Sequence, residues 1–285
     1  MTAPTELRPP APSPLRTAGP LMAAFLRRDW KITVSYRLGF ASQLVQSLVT
    51  VFFLYFLGRL VGARGVLTGA GSLRHGYFPF AVLGVALLGV VGGELNAVST
   101  QIRTDQTTGT LEALMAMPPP PWLTVLGGVS FQLAYAAVVA VVTVLMGVVG
   151  FGLRFDASVA GVVAAAAAFL IALVLFSAFG AALASVAVVF KRGGQVAGAL
   201  ATAFSLLGGV YYPLSLLPVP LRWLGDALPF TWTLDIIRAG LLEGQARWAE
   251  TGLLAAATVV LAPAALATLS GAVVHSRRRG TLGQY

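Results

Sequence analysis

An all-α integral membrane protein is the fold class this sequence predicts, on three observations. Of its 285 residues, 57% are apolar and only 10% charged, its mean hydropathy is +0.84, and six stretches almost free of charge are each long enough to cross a bilayer. A soluble domain carries about a quarter charged residues, so this chain has too few to cover a water-facing surface. A spanning helix needs about 20 mostly apolar residues. Reading between charged residues gives Leu38–Gly58, Gly76–Gly93 (continuing past Glu94 to Ile102), Ala113–Leu153, Ala157–Phe190, Gly193–Leu221 and Thr251–Ser276. The fifth is expected to end near Tyr212-Pro213, and Pro263 to kink the sixth.

Six spans place both termini on one side. With the N-terminus inside, inner segments carry 12 Lys and Arg residues and outer segments 7. The positive-inside rule therefore puts both ends in the cytoplasm. Residues 1–20 hold six prolines and no apolar run, so they read as a disordered tail rather than a signal peptide. Residues 21–279 form one membrane domain, and 280–285 a short C-terminal tail.

Several function classes are excluded or disfavoured by composition. Without cysteine, the chain has no disulfide framework, thiolate metal site or cysteine nucleophile. Its only lysines, Lys31 and Lys191, do not follow glycine, so no GxxxxGK[ST] loop exists to cradle a nucleotide. His75 and His275 fall at opposite membrane edges and cannot share a site, and Glu94 has no second intramembrane acid; an enzyme is not expected. The formal charge of +9 points in this setting to anionic lipid headgroups, not nucleic acid. An ion-coupled secondary transporter is the main rival to other transport readings, but it predicts inverted repeats and midplane helix breaks, and the two halves share no matching motif.

Residues 21–37 form an amphipathic stretch. At 100° per residue Arg27, Arg28 and Lys31 share one arc with Ser35, while Leu21, Met22, Phe25, Leu26, Trp30, Ile32 and Tyr36 occupy the broader remainder. This fits a helix lying in the membrane interface with its basic face toward headgroups; a solvated lead-in to the first span also fits. Between the second and third spans, about 107–117 predicts a short cytoplasmic helix. Thr107 or Thr108 can cap it, Gly109 permits a tight turn, Glu112 suits the positive helix N-terminus, and Pro118–Pro121 stop it. Its apolar edge of Leu111, Leu114 and Met115 suits either a partner protein's groove or the headgroup layer.

Two stretches lie where a charge or a proline needs explaining. Glu94 is the one acid well inside a span, which costs about 2.5–3.5 kcal/mol on insertion scales. It could meet a cationic substrate or a proton; the plainer reading is a helix end turning polar through Asn96, Ser99, Thr100 and Gln101. In the outer segment, about 213–244, Leu214–Leu217 and Leu228–Leu242 are too short to span and too apolar for a free loop. They are expected to dip back into the outer leaflet, with Trp223 and Trp232 at the interface, as either an exit gate or a sealing lid. Asp235 and Arg238, three residues apart on one helix, are expected to pair.

Two of these stretches resemble the membrane subunits of type-2 ATP-binding-cassette exporters, including bacterial drug-resistance and polysaccharide exporters. One is Asp105 followed by Gly109-Thr110-Leu111-Glu112, a hydrophobic turn and proline, similar to the family's coupling-helix motif. It departs in its four consecutive prolines and in Asp105, where glutamate is commoner. The other is GGVYYPLSLLPVPLRWLGDALPFTWTLDIIRAGLLEG, residues 208–244, similar to the family's extracellular motif. The resemblance covers about residues 21–279. It implies a bacterial inner-membrane permease with no cofactor of its own, pairing with a second copy, a homodimer by default. It also implies separate cytoplasmic ATPase subunits that bind ATP-Mg. Asp105, Gly109, Thr110, Leu111, Glu112 and Leu114 would contact the ATPase, with Arg27, Arg28 and Lys31 nearby. Glu94, Tyr211, Tyr212, Pro213, Trp232, Asp235 and Arg238 become candidates for the pathway or its exit, and the cargo is expected to be a lipophilic drug-like or lipid-linked amphipath.

Overall fold

The computed structural model describes residues 19–20, 23–28, 30–31, 37–63, 75–107, 109, 121–190 and 193–279. Among them every regular element is helical. In chain order these are α1 (Arg37–Ala63), α2 (Tyr77–Thr107), α3 (Pro121–Phe151), α4 (Val159–Phe190), α5 (Gly193–Leu207), a 3-10 turn (Leu214–Leu216), α6 (Val219–Asp226), α7 (Pro229–Leu242) and α8 (Trp248–Arg279). Residues 23–28 are also helical.

Five helices are long and apolar enough to cross a membrane: α1, α2, α3, α4 and α8. They lack the charged face of a soluble amphipathic helix because lipid can cover the faces that protein leaves open. The fifth predicted stretch differs. Helix α5 has 15 residues, about 22 Å at 1.5 Å per residue, and stops at Leu207 where Gly208 and Gly209 follow; Gly209 adopts φ +70°, a left-handed conformation that glycine tolerates. The chain then folds back through the 3-10 turn, α6 and α7. Helix α8 runs unbroken through Pro263.

Helix α2 is the most buried span and forms the centre of the bundle. Leu83, Leu87, Val91 and Leu95 pack into a core with Phe176 of α4, Phe204 of α5 and Phe230 and Leu234 of α7. Phe204 and Phe230 stack with ring centroids 5.6 Å apart, and Phe176 meets both edge-on, the offset and T-shaped geometries that aromatic quadrupoles favour. Helices α1 and α3 lie at the periphery, exposing Phe52, Phe53, Phe56, Val138, Val141 and Leu145.

Contact between α4 and α7 is at backbone distance. A Cβ on Gly161 would stand 2.5 Å from the Gly240 carbonyl oxygen, so only glycine allows the two helices to touch there. Ser158 fixes the same corner: it accepts a hydrogen bond from Gly161 N at 2.9 Å, capping α4, and donates to the Gly244 carbonyl at 2.7 Å.

Candidate functional site

The predicted functional residues fall into three zones. The first is the end of the bundle nearest the N-terminal segment, where α2 ends and α3 begins. Helix α2 runs past Glu94 into a mostly polar stretch, Ser99 to Thr107, and α3 begins at Pro121. The two helices pack as neighbours, so together they make a helical hairpin. Pro121 at the first position of α3 suits the helix start, where a missing N–H costs nothing.

Asp105 is in the last turn of α2, and Gly109 forms an exposed turn with φ +70°. Thr110, Leu111, Glu112 and Leu114, with the rest of the predicted helix over 107–117 beyond Gly109, lie outside the described residues. The N-terminal segment meets the base of this hairpin. Phe25 is buried against Gly127 of α3, where even a Cβ would come within 2.7 Å of its ring. Trp30 stands edge-on to Phe131 at 6.5 Å, and the Arg28 guanidinium lies 4.8 Å from the Phe25 ring centroid. Arg27, Arg28 and Lys31 are exposed. One apolar anchor on α3 with basic groups turned outward is the arrangement expected of a segment lying along a headgroup layer.

In the second zone, midway through the bundle, Glu94 is 3% exposed. Its Oε2 accepts a hydrogen bond from Ser177 Oγ of α4 at 2.5 Å. Gly180, one turn further on, lets α4 approach the Glu94 backbone so closely that a Cβ there would collide with its carbonyl. The plain reading of a helix end merely turning polar therefore needs correction: Glu94 faces protein and ties α2 to α4. Asn96, by contrast, bonds only within its own helix, donating to the Gly92 carbonyl at 2.8 Å.

The third zone is the outer segment, and its centre is Arg238. The side chain points into the bundle and is 7% exposed. Nη1 donates to the Gly209 carbonyl at 3.0 Å; Nη2 donates to the Phe80 carbonyl at 2.8 Å and the Val210 carbonyl at 3.3 Å. The guanidinium carbon lies 3.4 Å above the Phe80 ring centroid, a cation–π contact made stronger by desolvation. The direct pairing with Asp235 expected from their spacing does not form; the described ion pairs of this region are Arg222–Asp226 at 3.7 Å and Arg247–Glu250 at 3.2 Å. Arg238 instead serves three main-chain carbonyls.

Neighbouring candidates reinforce this corner. Tyr212 Oη donates to the Leu206 carbonyl at 2.6 Å, folding the loop back on α5, and Trp232 Nε1 donates to the Asp226 carbonyl at 2.6 Å, joining α7 to α6. Pro213 is buried, Tyr211 is 39% exposed, and Asp235 is half-buried. Ten of the 14 residues of α7 are buried, so it packs as core and not as a surface helix. Helix α6 is the reverse: Val219, Leu221, Trp223 and Leu224 are exposed. Among the described residues no group of acids and histidines could hold a metal ion.

Five long apolar helices around a central span, with a folded-back segment between α5 and α8, define a multi-pass membrane protein. The ABC-2 type transporter family model matches residues 21–242. That is most of the chain, so the protein belongs to this family and is a transport permease component of the ABC type. No curated protein matches it.

Proposed function

We propose that this chain forms the translocation pathway of an ATP-driven exporter and is worked by separate cytoplasmic ATPase subunits that bind ATP-Mg. The observation that carries the reading is the family match over residues 21–242, which takes in both the 107–117 segment and most of the outer segment. Six crossings result if α5 and the folded-back outer elements together complete the fifth, with both termini in the cytoplasm of a bacterial cell and two copies pairing across the pathway. Asp105, Gly109, Thr110, Leu111, Glu112 and Leu114 then engage the ATPase, and the α2–α3 hairpin carries its closure into the bundle as a rigid-body shift, which a slack loop would absorb. The packing of α2 against α3 supports this, as does the basic segment seated on α3. The cargo on this reading is a lipophilic drug-like or lipid-linked amphipath, and the outer segment caps its exit.

Co-purification in nanodiscs with the neighbouring ATPase tests the proposal. The wild-type chain should retain the ATPase and support cargo-stimulated ATP hydrolysis. Glu112→Arg should leave the protein in the membrane and abolish the stimulation, because it reverses the charge at the start of the contacting helix. Full transport by that variant would overturn the assignment.

A further inference from the structure

Helices α1, α2 and α3 do not close on one another. They leave a cavity of about 360 Å³, within the range of small-molecule sites. Its α1 wall is a stripe of Gln43, Gln46, Ser47 and Thr50, and Gln132 faces it from α3. Thr50 satisfies itself on the Gln46 carbonyl at 2.9 Å. The carboxamides of Gln43, Gln46 and Gln132 make no hydrogen bond to any described residue. Each offers two N–H donors and an acceptor oxygen, inside apolar spans where lipid supplies neither. None of the described lining residues is charged. Gly89 of α2 keeps the space open: a Cβ there would meet nothing within 4 Å.

We propose that this cleft binds the uncharged, hydrogen-bonding head of an amphipathic molecule that enters sideways from the adjoining leaflet and leaves its tail among the lipid. Three neutral carboxamides match hydroxyl or amide groups in both donor and acceptor sense, whereas an ion would lose its hydration and find no counter-charge. Gln43 is the seventh residue of α1 and Gln132 the twelfth of α3, so the cleft lies in the half of the bundle that leads to the hairpin. That the occupant is cargo rests on the exporter reading; binding itself needs neither ATP nor a partner. A resident neutral lipid has the same head chemistry, and would survive purification and appear in the mass spectrum of the chain, whereas exchanging cargo labels only when added.

The test uses the full chain in nanodiscs with a photoreactive alkyl glucoside, its diazirine beside the sugar, and trimethylammonium and phosphate analogues with the same tail. The glucoside should label residues 41–50 and 130–143, with each charged probe about tenfold weaker. Gln46→Leu combined with Gln132→Leu should cut glucoside labelling about fivefold or more. Gly89→Leu, whose Cβ meets nothing within 4 Å, should do the same by filling the cleft. Equal labelling by the charged probes, or undiminished labelling in Gly89→Leu, would overturn the proposal. So would a Gln46→Cys chain, clean because the protein has no other cysteine, that cross-links to a second copy across this face. Since no ATPase is present, loss of labelling here and loss of coupling in Glu112→Arg report on separate claims.

Discussion

Arg238 shows how far a residue's role can lie from its neighbours in sequence. Spacing on its own helix points to Asp235, three residues away, yet the guanidinium reaches Phe80, 158 residues earlier. A buried charge needs partners, and the turn at Gly209 and Val210 offers carbonyls that no regular helix satisfies; of the guanidinium nitrogens, Nε alone is buried without one among the described residues. Gly84 makes room: a Cβ there would crowd Arg238 Nη2 to 2.9 Å. Arg238→Met should therefore lower unfolding stability by about 3 kcal/mol, leaving those carbonyls unpaired. Arg238→Lys should recover under half of that, because an ammonium cannot serve three acceptors with a planar fork. Thermal unfolding in one detergent would compare the three chains. Glu94 makes a parallel case with opposite chemistry. Ser177→Ala strips the carboxylate of its described partner and should cost about 1–3 kcal/mol, while Glu94→Gln keeps an acceptor for Ser177 and should unfold at nearly the wild-type temperature.

At the scale of elements, most helices were legible because an uncharged run of 20 or more residues admits few other structures. Spans α1, α2, α3, α4 and α8 all lie within or across the stretches read between charges. In the fifth stretch the helix ends at Leu207, earlier than the expected Tyr212-Pro213, because apolarity continues while the helix does not: Gly208-Gly209 end it, and hydropathy is blind to that. Helix α6 was not legible, being eight residues long and flanked by prolines. The stripe Gln43, Gln46, Ser47, Thr50 has plain helical spacing, but its side chains carry no charge, so a reading built on charged residues passes over it. The 107–117 helix of the hairpin tip lies largely outside the described residues, so its role is argued from sequence and from the helices that lead to it. If those helices act as a lever, stiffness matters more than surface chemistry. Three glycines inserted after Thr107 should leave the ATPase bound but reduce transport per ATP hydrolysed by about tenfold, as a slack joint absorbs the motion. Transport and hydrolysis measured together on proteoliposomes would show it; unchanged coupling would mean the hairpin transmits nothing.

Taken as a whole, the molecule is stapled at one end and open at the other. Arg238, the Gly161–Gly240 contact and the stacked rings of Phe204 and Phe230 consolidate the outer segment, while α1 and α3 stand apart enough to leave a cleft near the hairpin. Cargo that enters at the soft end and is expelled through the stapled end would require force delivered to the hairpin from the cytoplasm, and the chain has no nucleotide loop to generate it. The most direct test is a single-cysteine cross-link. Ala113→Cys, placed in the otherwise cysteine-free chain, should join to the ATPase in inside-out vesicles, with a yield that changes when ATP is added, and should resist a membrane-impermeant maleimide applied to intact cells. Labelling of that cysteine from outside the cell, with no cross-link to the ATPase, would contradict the account.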